Sequence, residues 1–252
     1  MAANKTKKIL GIDIGGTGIK AGLVNPTSGA LIGEVIKIKT PSPSTPQNIL
    51  KAVQEVITLF QYKGPVGVGF PAIVHNSVIQ SAANIDKKWV GVNAKKLFDK
   101  IKGCTFYIAN DADMAGMAEM YFGSGKGKKG TIILITIGTG LGSALFRNGT
   151  LIPNTEFGHL NYKKVDFEYY ASNTAREKKH MSWVAWGKEF NAFLKHLQFI
   201  FSPDLIYLGG GLSKRYDDYK KQINVKCKVT PARLQNHAGI IGAAAFAQSI
   251  KE

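Results

Sequence analysis

A chain of 252 residues, 44% hydrophobic and 20% charged, has the composition of a globular protein and the length for one large domain or two lobes of about 100–150 residues each. Its 33 lysines and arginines against 17 aspartates and glutamates give a formal charge of +16, which favours an anionic partner (nucleic acid, membrane surface or polyphosphate) unless the surface is simply basic throughout. No run approaches the roughly 18 apolar residues of a membrane span, the basic start Met1 to Lys8 lacks a signal peptide's apolar core and cleavage site, and Cys104 and Cys227 are too few for a disulfide framework or a zinc cluster, so a cytoplasmic protein is expected.

The chain opens on an apolar run, Ile9 to Ile14, that predicts a buried strand. It breaks at Gly15-Gly16-Thr17-Gly18 and resumes as a second strand over Ile19 to Val24. Glycines at such a turn let backbone N–H groups approach an anion. Asp13 beside them is placed to hold a hydrated divalent cation against phosphate oxygens. A tight hairpin would use the same glycines for geometry alone. A third strand follows over Ala30 to Lys39, then a loop, Thr40 to Pro46, that ends with Thr45 as a helix cap and Pro46 in the first turn. Ile49, Leu50, Val53, Val56, Ile57 and Phe60 recur at helical spacing and predict an amphipathic helix over 46–61. Val66 to Phe70 reads as a buried strand, Ala94 to Ile101 as a helix and Thr105 to Ile108 as another strand. Asn110-Asp111 then starts a small-residue helix. Both residues suit an N-cap, and Asp111, at a strand end, is the candidate general base for a kinase acting on an alcohol.

The stretch Gly123 to Gly130 lacks the Gly-x-x-x-x-Gly-Lys-Ser/Thr pattern and reads as a solvated connector. Thr131 to Ile137 predicts a strand, Gly138-Thr139-Gly140-Leu141-Gly142 a second glycine loop, and Ser143 to Phe146 the returning strand. Asn148-Gly149 predicts a type I′ turn into Thr150 to Ile152. The second half thus opens as the first does. Glu156 and His159 lie just beyond, and Glu168 sits among Phe167, Tyr169 and Tyr170. With Asn84, on a loop before Trp89, these are the donor and acceptor types that a ring of sugar hydroxyls requires, although Glu156 and His159 alone would also make a satisfied loop pair. Residues 182–201 predict a long helix with a core-facing aromatic stripe, Leu205 to Leu212 a strand breaking into a third glycine loop, and Ala238 to Ile250 a closing helix of small residues. The repetition predicts two lobes that present glycine loops to a common cleft, residues 1–111 with the closing helix 239–252, and residues 112–238.

Taken in order, Asp13-Ile-Gly-Gly-Thr-Gly-Ile-Lys20, Gly69-Phe-Pro71, Ala83-Asn-Ile-Asp86 with Trp89, Asn110-Asp111, Gly138-Thr-Gly-Leu-Gly142, Glu156-Phe-Gly-His-Leu160, Glu168-Tyr-Tyr-Ala-Ser172, Ser182-Trp183, Gly209-Gly-Gly-Leu-Ser213 and Ala238-Gly-Ile-Ile-Gly-Ala243 resemble the repressor/open-reading-frame/kinase family of sugar kinases, and within it the polyphosphate-dependent glucokinase branch. The resemblance runs from residue 9 to about 247. It implies an α/β, actin-like (ribonuclease H-like) fold with a duplicated β-β-β-α-β-α core, and a homodimer. It also implies Asp111 as general base for the sugar 6-hydroxyl, with Asn84, Asn110, Glu156, His159 and Glu168 on the other hydroxyls. Gly15, Gly16, Thr17, Gly18 and Lys20, with Gly138, Thr139 and Gly140, would hold donor phosphates. Gly209, Gly210 and Gly211 would border the nucleotide or the far end of the donor, and Mg2+ would be held through water by Asp13.

Two departures from the family pattern stand out. Asn161 to Ser172 contains no cysteine, so zinc is not expected and His159 is expected as a sugar ligand or a structural residue. Only eight residues precede the first strand, leaving no room for the DNA-binding domain of the repressor branch. The expected reaction is phosphoryl transfer to the 6-hydroxyl of glucose from polyphosphate, ATP or both, without a membrane or nucleic-acid partner. The charge favours polyphosphate. The alternatives are a strictly ATP-dependent glucokinase or mannokinase and a non-catalytic sugar sensor; Asp111 and the paired glycine loops speak against the sensor.

Overall fold

The apolar run before the first glycine loop forms β1 (Ile9–Ile14), and the chain returns antiparallel as β2 (Gly18–Val24) and β3 (Leu31–Lys39). This is a computed structural model that describes residues 8–234 and 237–251. Helix α1 (Pro46–Leu59) starts as predicted, with the Thr45 hydroxyl accepting from the Asn48 N–H at 3.3 Å and Pro46 in the first turn. It stops short of residue 61 because Gln61 turns left-handed, at φ 46°. Next come β4 (Gly64–Phe70), the small hairpin β5 (Val74–His75) and β6 (Val78–Ile79), α2 (Ala94–Phe98), β7 (Cys104–Asn110) and α3 (Asp111–Phe122). The sheet order is β3-β2-β1-β4-β7, with β1, β4 and β7 parallel. Leu10, Ile12, Val68, Phe70, Trp89 and Phe106 lie in the core of this first unit.

A second unit repeats the plan. It comprises β8 (Thr131–Ile137), β9 (Leu141–Arg147), β10 (Thr150–Ile152), the hairpin β11 (Asn161–Tyr162) and β12 (Val165–Asp166), α4 (Glu168–Ala171), α5 (Asn173–Lys178), α6 (Trp183–Phe201), β13 (Leu205–Gly209), α7 (Tyr216–Tyr219) and β14 (Lys228–Pro231). Its sheet runs β10-β9-β8-β13-β14, again three antiparallel strands followed by two more in parallel. Asn148 and Gly149, at φ 52° and 88°, have the paired positive angles of the predicted type I′ turn. Trp186, Phe190, Phe193, Leu194 and Leu197 of α6 are buried, so the aromatic stripe beyond the half-buried Trp183 is core. The duplicated mixed α/β plan is that of the actin-like fold. Among the described residues no helix is long and apolar enough to cross a membrane.

The last helix, α8 (Ala238–Lys251), belongs to the first unit, where it packs on β1, β4 and α3. Its small residues are what permit this. A Cβ on Gly67 of β4 would collide with the Ala243 carbonyl, and one on Gly242 would collide with that of Met114. The same contact moves a boundary: the units divide after Phe122 rather than at residue 111, because α3 is locked to α8 and stays with the first unit.

Candidate active site

In the first unit, β1, β4 and β7 end at one edge of the sheet, and the carboxyl ends of parallel strands are where open α/β sheets bind ligands. Asp13 pairs beside Gly69, and Gly69 beside Ala109. Asp13 and the start of α3 are therefore two strands apart, about 10 Å at the usual spacing. The first glycine loop closes through the Gly15 N–H, which donates to the Gly18 carbonyl at 3.0 Å, and the Thr40 hydroxyl donates to the Gly15 carbonyl at 2.6 Å. Gly16 and Thr17 form its exposed tip. Asn84 lies against that tip: a Cβ on Gly16 would stand 3.1 Å from the Asn84 carbonyl oxygen. A concavity of about 370 Å³ opens beside the loop, bordered by Gly16, Thr17, Lys39, Thr40 and Asp86.

Asp13 is the carboxylate of this edge. A Cβ on Gly239, in the first turn of α8, would come within 2.7 Å of its Cγ, and Lys20 Nζ lies 3.9 Å from Oδ2 across the β1–β2 pair. Burial holds the Asp13 pKa above the usual carboxylate value, and the Lys20 charge offsets only part of that rise. Lys20, expected on donor phosphates, here faces Asp13. A single desolvated carboxylate beside a phosphate-sized loop fits a hydrated Mg2+, which takes its other ligands from water and phosphate oxygens. Among the described residues no group of three or more His, Cys, Asp or Glu side chains is placed to hold a metal ion.

At the end of β7, Asn110 is the cap of α3. Its Oδ1 accepts from the N–H groups of Ala112 (2.8 Å) and Asp113 (3.1 Å), while Nδ2 donates to the Ala72 carbonyl at 3.1 Å. Asn110, 4% exposed, thus uses both acceptor lone pairs on the helix start. Asp111 is left as the first helical residue, partly buried, its Oδ1 accepting from the Ala112 N–H at 2.8 Å. A helix N-terminus stabilises an ionised carboxylate there.

In the second unit, β8 and β13 are parallel with Gly209 beside Thr136, so the second and third glycine loops leave one sheet edge. Gly210, at φ 75°, rests on Ile137, where a Cβ would come within 2.5 Å of the carbonyl oxygen; only glycine satisfies both the angle and the space. Gly209 is buried behind it and Gly211 exposed in front. The Gly138 N–H donates to the Gly140 carbonyl at 3.0 Å, and the Gly138 carbonyl accepts from the Asn173 N–H at 3.0 Å, leaving Thr139 at the exposed tip.

Glu168, expected on a sugar hydroxyl, lies on this loop. Its Oε2 accepts from the Leu141 N–H at 3.4 Å and is 2.5 Å from where a Gly140 Cβ would stand. Glu156 and His159 sit at either end of a short turn in which the His159 N–H donates to the Glu156 carbonyl at 3.0 Å. The three side chains share one field. Burial pushes the Glu156 pKa up, His159 lowers it and Glu168 raises it. Burial pulls His159 down, but the Asp166 hydrogen bond and the charges of Glu168, Glu156 and Asp166 outweigh it and leave the imidazole above 6.5.

Asp166 is the residue that the sequence reading missed. It reaches His159 Nδ1, at 2.8 Å, because β11 and β12 pair with Asn161 opposite Asp166. No local signal announced it, because two-residue strands carry too little periodicity to read. Asp166 holds the Nδ1 proton of a neutral His159 and leaves Nε2 as the acceptor. The ion pair stabilises the fold fully below pH 6.5, and that contribution fades as pH rises through the elevated folded-state value. Asp166→Asn is expected to lower the His159 pKa, read as an NMR titration of the ring protons, and to flatten this part of the stability profile. An unchanged titration would show that Asp166 does not set the imidazole.

Comparison with known proteins finds similar sequences and structures. Over 235 residues the chain is 44% identical to a polyphosphate glucokinase of Mycobacterium tuberculosis, covering 93% of this chain and 89% of the relative. A crystal structure of an inorganic polyphosphate/ATP-glucomannokinase from Arthrobacter superposes with a TM-score of 0.92 at 41% identity, covering 97% of this chain and 99% of the other. A ROK family glucokinase from Streptomyces griseus, in complex with glucose and AMPPNP, superposes at 0.83 with 25% identity over 96% of this chain and all of the other. The ROK family model matches residues 9–175. With that match and with relatives this similar over nearly its full length, the protein belongs to the ROK family.

Proposed function

We propose that the protein phosphorylates the 6-hydroxyl of glucose, taking the phosphoryl group from inorganic polyphosphate and also from ATP, with Asp111 as general base. The observation that supports this reading most directly is the common sheet edge of the first unit, where the glycine loop with Asp13 and the helix start with Asp111 stand about 10 Å apart. The relatives named above supply the substrate class.

In this reading Asp111 takes the proton of the 6-hydroxyl as the oxygen attacks the terminal phosphorus. The bond from that phosphorus to the next bridging oxygen breaks, leaving glucose 6-phosphate and a chain one phosphate shorter, or ADP. The backbone N–H groups around Gly15–Gly18 and Gly138–Gly140 would hold the transferred and adjacent phosphates, with Gly209–Gly211 towards the far end of the donor. Asn84, Glu156 and His159 would fix the other sugar hydroxyls. Asn110 would act chiefly by fixing the first turn of α3, and Glu168 by joining the second loop to the Glu156–His159 pair. Asp13 would hold the divalent metal, Mg2+, through water, and the ion would neutralise charge on the donor oxygens. The partners are then glucose and the donor, with no membrane or nucleic acid required. The protein would act in the cytoplasm as a homodimer, the dimer resting on family resemblance alone.

Glucose phosphorylation by purified protein, with ATP or long-chain polyphosphate at low and high salt, tests the donor. The KM for polyphosphate is expected to rise steeply with salt and that for ATP to move less, because a long polyanion meets the basic surface through many screened contacts. Activity with ATP alone would overturn the polyphosphate reading.

A further inference from the structure

Most of the aromatic stripe of α6 is core, but its first residue is not. Trp183 is only half-buried, and two guanidinium groups stack on it: Arg176 at 4.2 Å and Arg215 at 5.0 Å from the ring centroid. These arginines come from different segments, each attached to a glycine loop. Arg176 lies in α5 one turn beyond Asn173, whose N–H donates to the Gly138 carbonyl. Arg215 ends the short helical turn Gly211–Arg215 that begins in the third loop.

The support beneath is rigid. Trp186 Nε1 donates to the carbonyls of Ala171 and Ser172, both at 3.1 Å, and the Ser172 hydroxyl accepts from the Ala175 N–H at 3.1 Å to cap α5. Among the described residues Arg176 Nε is buried without a hydrogen-bond partner, and the ion pair of its Nη2 with Glu177 is long, at 3.9 Å. Stacking rather than a carboxylate therefore holds this guanidinium. Arg215 gives its Nε to Asp218, and its side chain is 57% exposed. Lys178, two residues beyond Arg176, and Lys214, beside Arg215 in sequence, are also exposed.

We propose that the Arg176–Trp183–Arg215 stack is a docking point for the distal phosphates of a polyphosphate donor, beyond those held at the glycine loops. The inference rests on the polyphosphate reading above and adds the residues that take up the trailing chain. Two guanidinium groups held within 5.0 Å of one ring centroid gather several charge-assisted N–H donors in one place, which suits a run of phosphate oxygens. The indole is already occupied by these cations, so it is a poor platform for a nucleotide base. A nucleotide also ends in a neutral base where an inorganic chain continues as charge.

The test compares wild type with Arg176→Gln, Arg215→Gln and the double variant, using long-chain polyphosphate, tripolyphosphate and ATP as donors. The double variant is expected to raise the KM for long-chain polyphosphate on the order of tenfold and to reduce its salt dependence. The KM values for ATP and glucose should stay within about twofold, which also reports an intact fold. Arg215→Gln, at an exposed position, keeps the test valid if Arg176→Gln folds poorly. An equal rise for ATP would make the stack a nucleotide site, and an unchanged polyphosphate KM would make it structural; either overturns the proposal. Calorimetric binding of long-chain polyphosphate separates the two readings. If wild type binds the chain but does not transfer from it, the donor assignment fails, and the stack is judged by whether the double variant loses that binding. If wild type does not bind it, both fail.

Discussion

Asp111→Asn is expected to lower turnover with glucose by about 10²–10⁴-fold, the range lost when a positioned general base is removed. Glucose binding should be nearly unchanged, because an amide of the same shape still accepts a hydroxyl hydrogen but no longer takes the proton. The variant is a clean probe because of its neighbour. Asn110 carries the cap of α3 through two accepted hydrogen bonds, so the helix start does not depend on the charge at residue 111. Single-turnover kinetics with either donor, beside calorimetric binding of glucose, reads the two effects separately. Wild-type turnover in the variant would remove Asp111 as the base. Lost glucose binding would recast it as a sugar ligand.

The second large effect is on stability. Gly67→Val is expected to destabilise the first unit by about 3 kcal/mol or more, at the upper end of overpacking costs. The obstacle is the Ala243 carbonyl in α8, which is backbone, so no side-chain rotation relieves the contact. At the usual scaling for a chain of this size, Tm falls by about 6–12 °C. Gly127→Ala is the contrasting case. Gly127 has open space around it, so only its left-handed angle, φ 75°, is strained, at about 1 kcal/mol. Calorimetric melting of both variants checks the pair. A Gly67→Val protein that melts with wild type would show that α8 does not lie on β4 as closely as described.

The parts of this protein that were legible in advance are local. The β1 and β8 strands, the capped start of α1, the Asn148-Gly149 turn and the three glycine loops were each announced by a handful of adjacent residues. Misread boundaries, such as the end of α1 at Gln61, turn on one backbone angle that residue type does not dictate. The short pieces β5, β6, β11, β12 and β14 went unread because two to four residues carry too little periodicity. β14 forms on the edge that β13 offers it.

The site divides along the same line. Alternating apolar runs interrupted by glycine dictate a strand, a loop and a returning strand wherever they fold, and they placed Asp13 and Asp111 at strand ends before any contact was known. Which neighbour each side chain meets depends on how distant segments pack. Asn110 rather than Asp111 became the cap, and Glu168 settled on the second glycine loop. Asp166 took hold of His159, and two arginines from separate helical segments met on Trp183. The closing helix completed the first unit although it ends the chain. Periodicity and turn chemistry act over a few residues, whereas hydrogen bonds, stacking and charge fields act over a few ångströms, and only the folded chain turns one kind of nearness into the other.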